Sequence, residues 1–393
     1  MQPFKLLSLP RIPREIIAKQ MEKFDLLNLI LTSKKTQTLT KFNYNPVCCR
    51  IYLTKTHYQV EVHFGWFGCL KWKVCTEESD RKDPHLDCRE EVGSIVIGDM
   101  LLERNSKITA LDKMFTIAEP SDRFKVFQQI TDFLFAMFPC KNDCLHFDFE
   151  VISEPDEFIR WKAVRNTEFA RIDGGTEQQV KEYLDVVQDV QIFYLGAQLS
   201  HGFEHEKLFS TSVDRVVATT PWMSRDTFFK LDRPVLFTNC SSLQPSDLIE
   251  YIQKWLNGGY SNLEKLTLQF KNTNQLGEFL FAVVETFNPV PDVRMEDPMF
   301  RIGQAELVDL RTSRFFRRDC DGKMLSIVFT YHLRMYMIVL DGETIPEYSI
   351  PHGKAVYQSI KWPNTSSIKK LIPRIFENDE DAEREMQLKV NYF

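Results

Sequence analysis

From Ser121 to Leu268 the chain switches repeatedly between a helical and an extended period, and that alternation constrains the fold more than any other feature. Phe124, Phe127, Ile130, Phe133, Leu134 and Met137 recur at helical spacing behind Ser121, a residue suited to cap a helix, and the stripe stops before Pro139. Leu145 to Ile152 then reads as a strand. The succession recurs: a helix from about Glu177 to Val187 precedes the strand Val190 to Leu195, and the strand Val235 to Thr238 precedes a helix from Pro245 to Leu256. Leu263-x-x-Leu266-x-Leu268 follows. Strands alternating with helices predict right-handed parallel units. In the Pro245 helix, proline suits a first helical position, Leu248, Ile249, Ile252, Trp255 and Leu256 make one apolar face, and Gly258-Gly259 supplies a left-handed stop.

On either side the period is two. Arg50 to Thr54, Tyr58 to Phe64 and Leu70 to Val74 alternate apolar with polar residues, whereas Thr76 to Asp87 is charged and aperiodic, as an exposed loop would be. From about Phe300 the chain is β again, with Phe315 to Cys320 and Lys323 to Phe329 around Asp321-Gly322, a pair that favours a tight hairpin, and Leu333 to Val339 as the next strand. Glu377 to Glu383 reads as an acidic exposed tail. Leu263-x-x-Leu266-x-Leu268 is also the strand fragment of a leucine-rich repeat, with candidate strands about thirty to forty-five residues apart. The expectation is a degenerate, leucine-rich-repeat-like curved α/β layer, with a doubly wound sheet as the alternative.

Composition narrows the function classes. With 393 residues, 43% hydrophobic and 26% charged, the chain is ordinary globular material, and 31 Phe against 15 Gly predict an aromatic core with few flexible linkers. A net charge of −6 gives no overall pull towards nucleic acid or anionic membrane. The odd count of 9 Cys and a start, Met1-Gln-Pro-Phe-Lys, without the apolar core of a secretory signal predict an intracellular, reduced setting, cytoplasmic or nuclear. The apolar run Phe133 to Phe138 is too short to span a bilayer. In such a setting the sequons at Asn239 and Asn364 carry no sugar.

Catalytic patterns are sparse. His201-Gly-Phe-Glu204-His205 matches H-x-x-E-H, the pattern in which two histidines bind zinc and glutamate activates water, but Ser200 and Gly202 break helix propensity there and a surface loop is expected. Cys140, Cys144 and His146 offer three possible zinc ligands without a nearby fourth, and Cys48-Cys49, Cys69 and Cys75 show no ligand spacing. There is no G-x-S-x-G elbow, Walker A sequence or G-x-G-x-x-G, so the chain is read as non-enzymatic and without cofactor.

The first forty-odd residues carry Ile16, Ile17 and Met21, then Phe24, Leu26, Leu27, Ile30 and Leu31, two apolar stretches at helical spacing, behind the stiff Leu9-Pro10 pair. Leu6-Leu7-x-Leu9-Pro10, Ile16-Ile17, Met21, Phe24-Asp25-Leu26-Leu27 and Leu31 to Lys35 together resemble an F-box of the nematode kind. Pro234 to Cys240, Asp247 to Gly259 with its Trp-Leu-Asn-Gly-Gly core, and Asn262 to Leu268 resemble the type 2 F-box-associated domain of nematodes. Period and resemblance together give an expected fold of class α+β or α/β: a small all-helical F-box over 1–44 from the resemblance, then a β-rich segment over 45–120 and a leucine-rich-repeat-like body over 121–300 from the period, with the F-box-associated region that the resemblance implies at about 215–285. A β-rich segment over 301–372 and the tail 373–393 complete it. The resemblance also implies a substrate-recognition subunit of a Skp-cullin-F-box ubiquitin ligase, with Leu7, Leu9, Pro10, Ile16, Ile17, Met21, Leu26, Leu27 and Leu31 gripping a Skp-type adaptor or forming the module's core. The body after about residue 120 would hold an unidentified protein target, with neither nucleic acid nor membrane as partner. An interaction scaffold uncoupled from ubiquitin transfer is the alternative, and a zinc hydrolase a distant third.

Overall fold

The computed structural model of the protein describes residues 48–64, 69–76, 92–97, 100–105, 113–138, 140–239, 242–287, 299–301, 306–309, 313–330, 333–340 and 355–357, with isolated positions 10, 12, 16, 17, 21 and 29. The charged stretch from 77 and the acidic tail lie outside the described residues. The chain divides into two compact units, Met1–Gln191 and Ile192–Phe393.

In the first unit β1 (Cys48–Leu53), β2 (Tyr58–His63) and β3 (Cys69–Cys75) form an antiparallel meander. β4 (Val92–Ile97) and β5 (Met100–Asn105) pair as a separate two-stranded sheet, while β6 (Lys113–Ile117) joins β3 in parallel. Helix α1 (Arg123–Met137) leads to β7 (Asn142–Phe147), which runs parallel to β1. Short helices α2 (Pro155–Arg160) and α3 (Lys162–Arg165) lead to β8 (Thr167–Ile172), parallel to β7, and α4 (Glu177–Val186) closes the unit behind a Thr176–Gln179 capping box. The sheet order is β8-β7-β1-β2-β3-β6.

The period-two alternation assigns the two sides of this sheet. Ile51, Leu53, Val60, Val62, Leu70, Trp72, Val74, Leu145 and Phe147 are fully buried, and Phe124, Phe127, Ile130 and Leu134 of α1 are buried with them. Burial of side chains this size contributes about 1.5–3 kcal/mol each, so the helical stripe has to cover the sheet to be stable. Trp161 sets its ring edge-on to both Phe124 and Phe127 at 6.2 Å.

In the second unit β9 (Ile192–Leu195), β10 (Arg215–Ala218), β11 (Val235–Asn239) and β12 (Lys265–Gln269) are parallel neighbours in chain order. Helices α5 (Arg225–Lys230), α6 (Pro245–Leu256) and α7 (Thr273–Phe287) lie between or after them. β13 (Met299–Arg301), β14 (Glu306–Asp309) and β18 (Ala355–Tyr357) make a small separate sheet. β15 (Arg314–Arg317), β16 (Met324–Thr330) and β17 (Arg334–Leu340) extend the main sheet antiparallel from β12. The link between β15 and β16 is longer than a two-residue Asp-Gly turn: Arg318 N–H donates to the Lys323 carbonyl at 2.8 Å, and Gly322 takes φ +73°.

The expected fold class is therefore corrected. The series of elements opens with strands and its first helix starts at Arg123, so the described residues form no small all-helical F-box ahead of a leucine-rich-repeat-like body. Nor are the β-rich stretches flanks. Each is hydrogen-bonded into a mixed sheet, β1 to β7 in parallel and β17 to β12 antiparallel. Local period reveals which side of a strand is apolar and carries no information on which strand it pairs with. Residues 1–44 otherwise lie outside the described residues. Among the described residues no helix is long and apolar enough to cross a membrane.

Candidate functional site

The open side of the first unit's sheet gathers residues that the sequence scatters over more than a hundred positions. Because directly opposed residues on neighbouring strands share a face, the register fixes rows across the sheet. One row runs Cys69, His63, Cys48; the next runs Lys71, Glu61, Arg50, Cys144, Phe169; the third runs Lys73, Gln59, Tyr52, His146, Arg171. Apolar neighbours on each strand point to the core, so these polar and aromatic groups face out together.

Glu61 is one hub of the face. Only 5% exposed, it takes Gln59 Nε2 at 2.8 Å on Oε1, Lys71 Nζ at 2.6 Å on the same oxygen, and has His63 Nε2 at 3.0 Å from Oε2. Burial pushes its carboxyl up, but the hydrogen bonds and charges of Lys71 and His63 outweigh it and hold the group below its ordinary value. Cys69 Sγ lies 3.6 Å from the same His63 nitrogen, and burial pushes its thiol up to about 12.

Asp173, just past β8, is the second hub. His146 Nε2 approaches Oδ2 at 2.5 Å and Arg171 Nε donates to both oxygens at 2.9 and 3.1 Å. Here too burial raises the carboxyl while His146 and Arg171 hold it below its usual range. Tyr52 stands edge-on to the His146 ring at 6.1 Å, and burial raises its phenol. The face thus offers cations around two anionic hubs, with an aromatic pair in the third row.

A cleft of about 820 Å³ opens at the edge of the same unit, lined by Asp132, Cys140, Lys141, Lys162, Glu168 and Asp189 among others. Trp161 Nε1 donates to Asp132 Oδ1 at 2.7 Å, and burial nevertheless keeps that carboxyl above its ordinary value.

The residues singled out from sequence fare differently. His201, Glu204 and His205 lie outside any helix: Glu204 is taken by Lys230 Nζ at 2.7 Å, and His205 Nδ1 accepts from Lys207 N–H at 3.1 Å to start a short turn. Cys140, Cys144 and His146 do not gather into a metal-ligating group among the described residues, and His146 is engaged by Asp173. Among the described residues, the group that can converge on an ion is Glu61, His63 and Cys69. Sequence reading missed it because its members sit on two strands, although period two in both was visible. Of the adaptor-binding residues, Pro10 and Ile16 are exposed, and Ile17 and Met21 half-buried, with Met21 N–H donating to the Ile17 carbonyl at 3.0 Å. Leu7, Leu9, Leu26, Leu27 and Leu31 lie outside the described residues.

In comparison with known proteins, the chain matches no family model, no curated protein and no solved structure.

Proposed function

We propose that the chain is a non-catalytic substrate-recognition subunit of a Skp-cullin-F-box ubiquitin ligase, with its N-terminal segment docking on a Skp-type adaptor and the open face of the first unit's sheet meeting a protein target. The reading rests on the residue pattern from Leu6 to Lys35 and on one structural observation. Among the described residues the large apolar side chains left exposed are Ile12, at 70%, and Ile16, at 49%, four positions apart within that pattern. Exposed neighbouring isoleucines are costly in water and gain by burial against a partner. Ile12 was not among the residues expected to make this contact. The mechanism is proximity: a target held on the sheet face meets the activated ubiquitin thioester at raised effective concentration, and no residue of this chain touches the reaction.

Calorimetry of the full chain with a purified Skp-type adaptor tests the reading. Direct binding that weakens at least tenfold in Ile12→Asp/Ile16→Asp supports it. Absence of binding by the folded chain rejects ligase coupling and leaves an interaction scaffold that uses the same sheet face.

A further inference from the structure

The Glu61, His63 and Cys69 cluster brings together three metal-type donors, an arrangement that target recognition does not require. His63 and Cys69 face each other directly across β2 and β3, and Glu61 lies two residues along the same side of β2. One donor atom from each residue falls within 4.8 Å of the other two. A tetrahedral zinc with bonds of about 2.3 Å to sulfur and about 2.0 Å to nitrogen holds those two donors about 3.5 Å apart. Cys69 Sγ and His63 Nε2 are 3.6 Å apart, and Glu61 Oε2 is 3.0 Å from the same nitrogen. The donors are thus close to a coordinating arrangement, and a cation between Oε2 and Nε2 has only to spread them by a few tenths of an ångström.

We infer that Glu61, His63 and Cys69 form a site for a zinc-type divalent cation, with a fourth coordination position open towards the exposed side of the sheet. The donor set decides the class of ion. A thiolate, an imidazole and one carboxylate suit borderline metals such as zinc, whereas magnesium and calcium demand a shell of oxygens. Cys48, opposite His63 on its other flank, is directed to the Asp143 carboxylate and stays outside the set. Cys69 binds as the thiolate and gives up its thiol proton to solvent. Lys71 Nζ, at 2.6 Å from Glu61 Oε1, opposes the incoming cation and shares its carboxylate.

The test uses the full chain with cobalt(II) alone as probe. One equivalent is expected to bind and to give a thiolate-to-cobalt charge-transfer band, which Cys69→Ser abolishes while Cys144→Ser and Cys320→Ser preserve it. Glu61→Gln and His63→Gln are expected to weaken binding at least tenfold, and Lys71→Gln to tighten it severalfold, a direction that loss of folding cannot produce. Circular dichroism of each variant confirms that the chain remains folded. A band that survives Cys69→Ser, or a folded wild-type chain that takes up no cobalt, overturns the site.

Discussion

The Arg318 guanidinium lies 4.5 Å over the Trp255 ring, and its Nη1 reaches the Gly259 carbonyl at 3.2 Å. Trp255 lies in the last turn of α6, so the arginine covers that helix end through the ring and, with Nη1 3.5 Å from the Trp255 carbonyl, through one of its terminal carbonyls. Asp321 fixes the other edge of the fork, with Nε at 2.8 Å and Nη2 at 2.5 Å from its two oxygens. A lysine cannot supply planar stacking and a bidentate fork together. Arg318→Lys is expected to lower stability by about 2 kcal/mol in urea unfolding; an unchanged midpoint would show that the contact contributes nothing.

Gly259 completes the same turn. A Cβ built there would stand 2.9 Å from the Lys254 carbonyl oxygen, which accepts from Gly259 N–H at 2.9 Å and so cannot move away. Gly259→Ala should therefore cost about 1–2 kcal/mol through the backbone alone, measured as a shift of the denaturation midpoint without loss of helix signal.

These two contacts show what was legible in the chain and what was not. Pro245, the Leu248 to Leu256 stripe and Gly258 delimited a helix that the structure places at Pro245–Leu256, with Gly258 at φ +91°. All of that information is local. The partner of Trp255 is not, because Arg318 stands more than sixty residues away on a stretch read only as a hairpin strand. The same division holds in the first unit. The alternation in β1, β2 and β3 identified Ile51, Val60 and Trp72 as inward, yet nothing in it set Cys69 against His63 or Lys71 against Glu61, which is a matter of register. Helix α7 was missed altogether, although Leu276, Phe279, Leu280, Val283 and Val284 recur at helical spacing and are buried; Gly277 interrupts the run one residue after that stripe begins.

The first unit should lose stability on mild acidification, and His57 is the cause. Burial, with the nearby Lys73 and Arg123 cations, lowers its imidazole from 6.5 to about 4. Between those values the unfolded chain binds a proton that the folded chain refuses, so stability falls as pH drops through that window and the loss is complete below about 4. Glu61 and Asp173, held below their ordinary values of 4.5 and 3.8, lose their contribution only at lower pH still. The expected change between pH 7 and pH 4.5 is on the order of 1–2 kcal/mol after screening. Denaturation midpoints measured across that range should flatten in His57→Asn, and an equal slope in the variant would assign the effect elsewhere.

Trp72 ties the sheet's core to its edge. Fully buried in the middle of β3, it donates through Nε1 to Thr116 Oγ1 at 2.9 Å on the neighbouring β6. Trp72→Phe removes the donor and leaves a void where the second ring stood. Val60, opposite it on β2, and Val74, two residues along β3, are fully buried and leave the surroundings little freedom to collapse into it. An orphaned buried hydroxyl costs about 1–3 kcal/mol and the void adds to it, so a loss of about 3 kcal/mol is expected. The paired change Trp72→Phe/Thr116→Val separates the two effects: it restores the share due to the hydroxyl and leaves the share due to the void. If the double variant is no more stable than the single one, the hydrogen bond contributes nothing and the cost is packing alone.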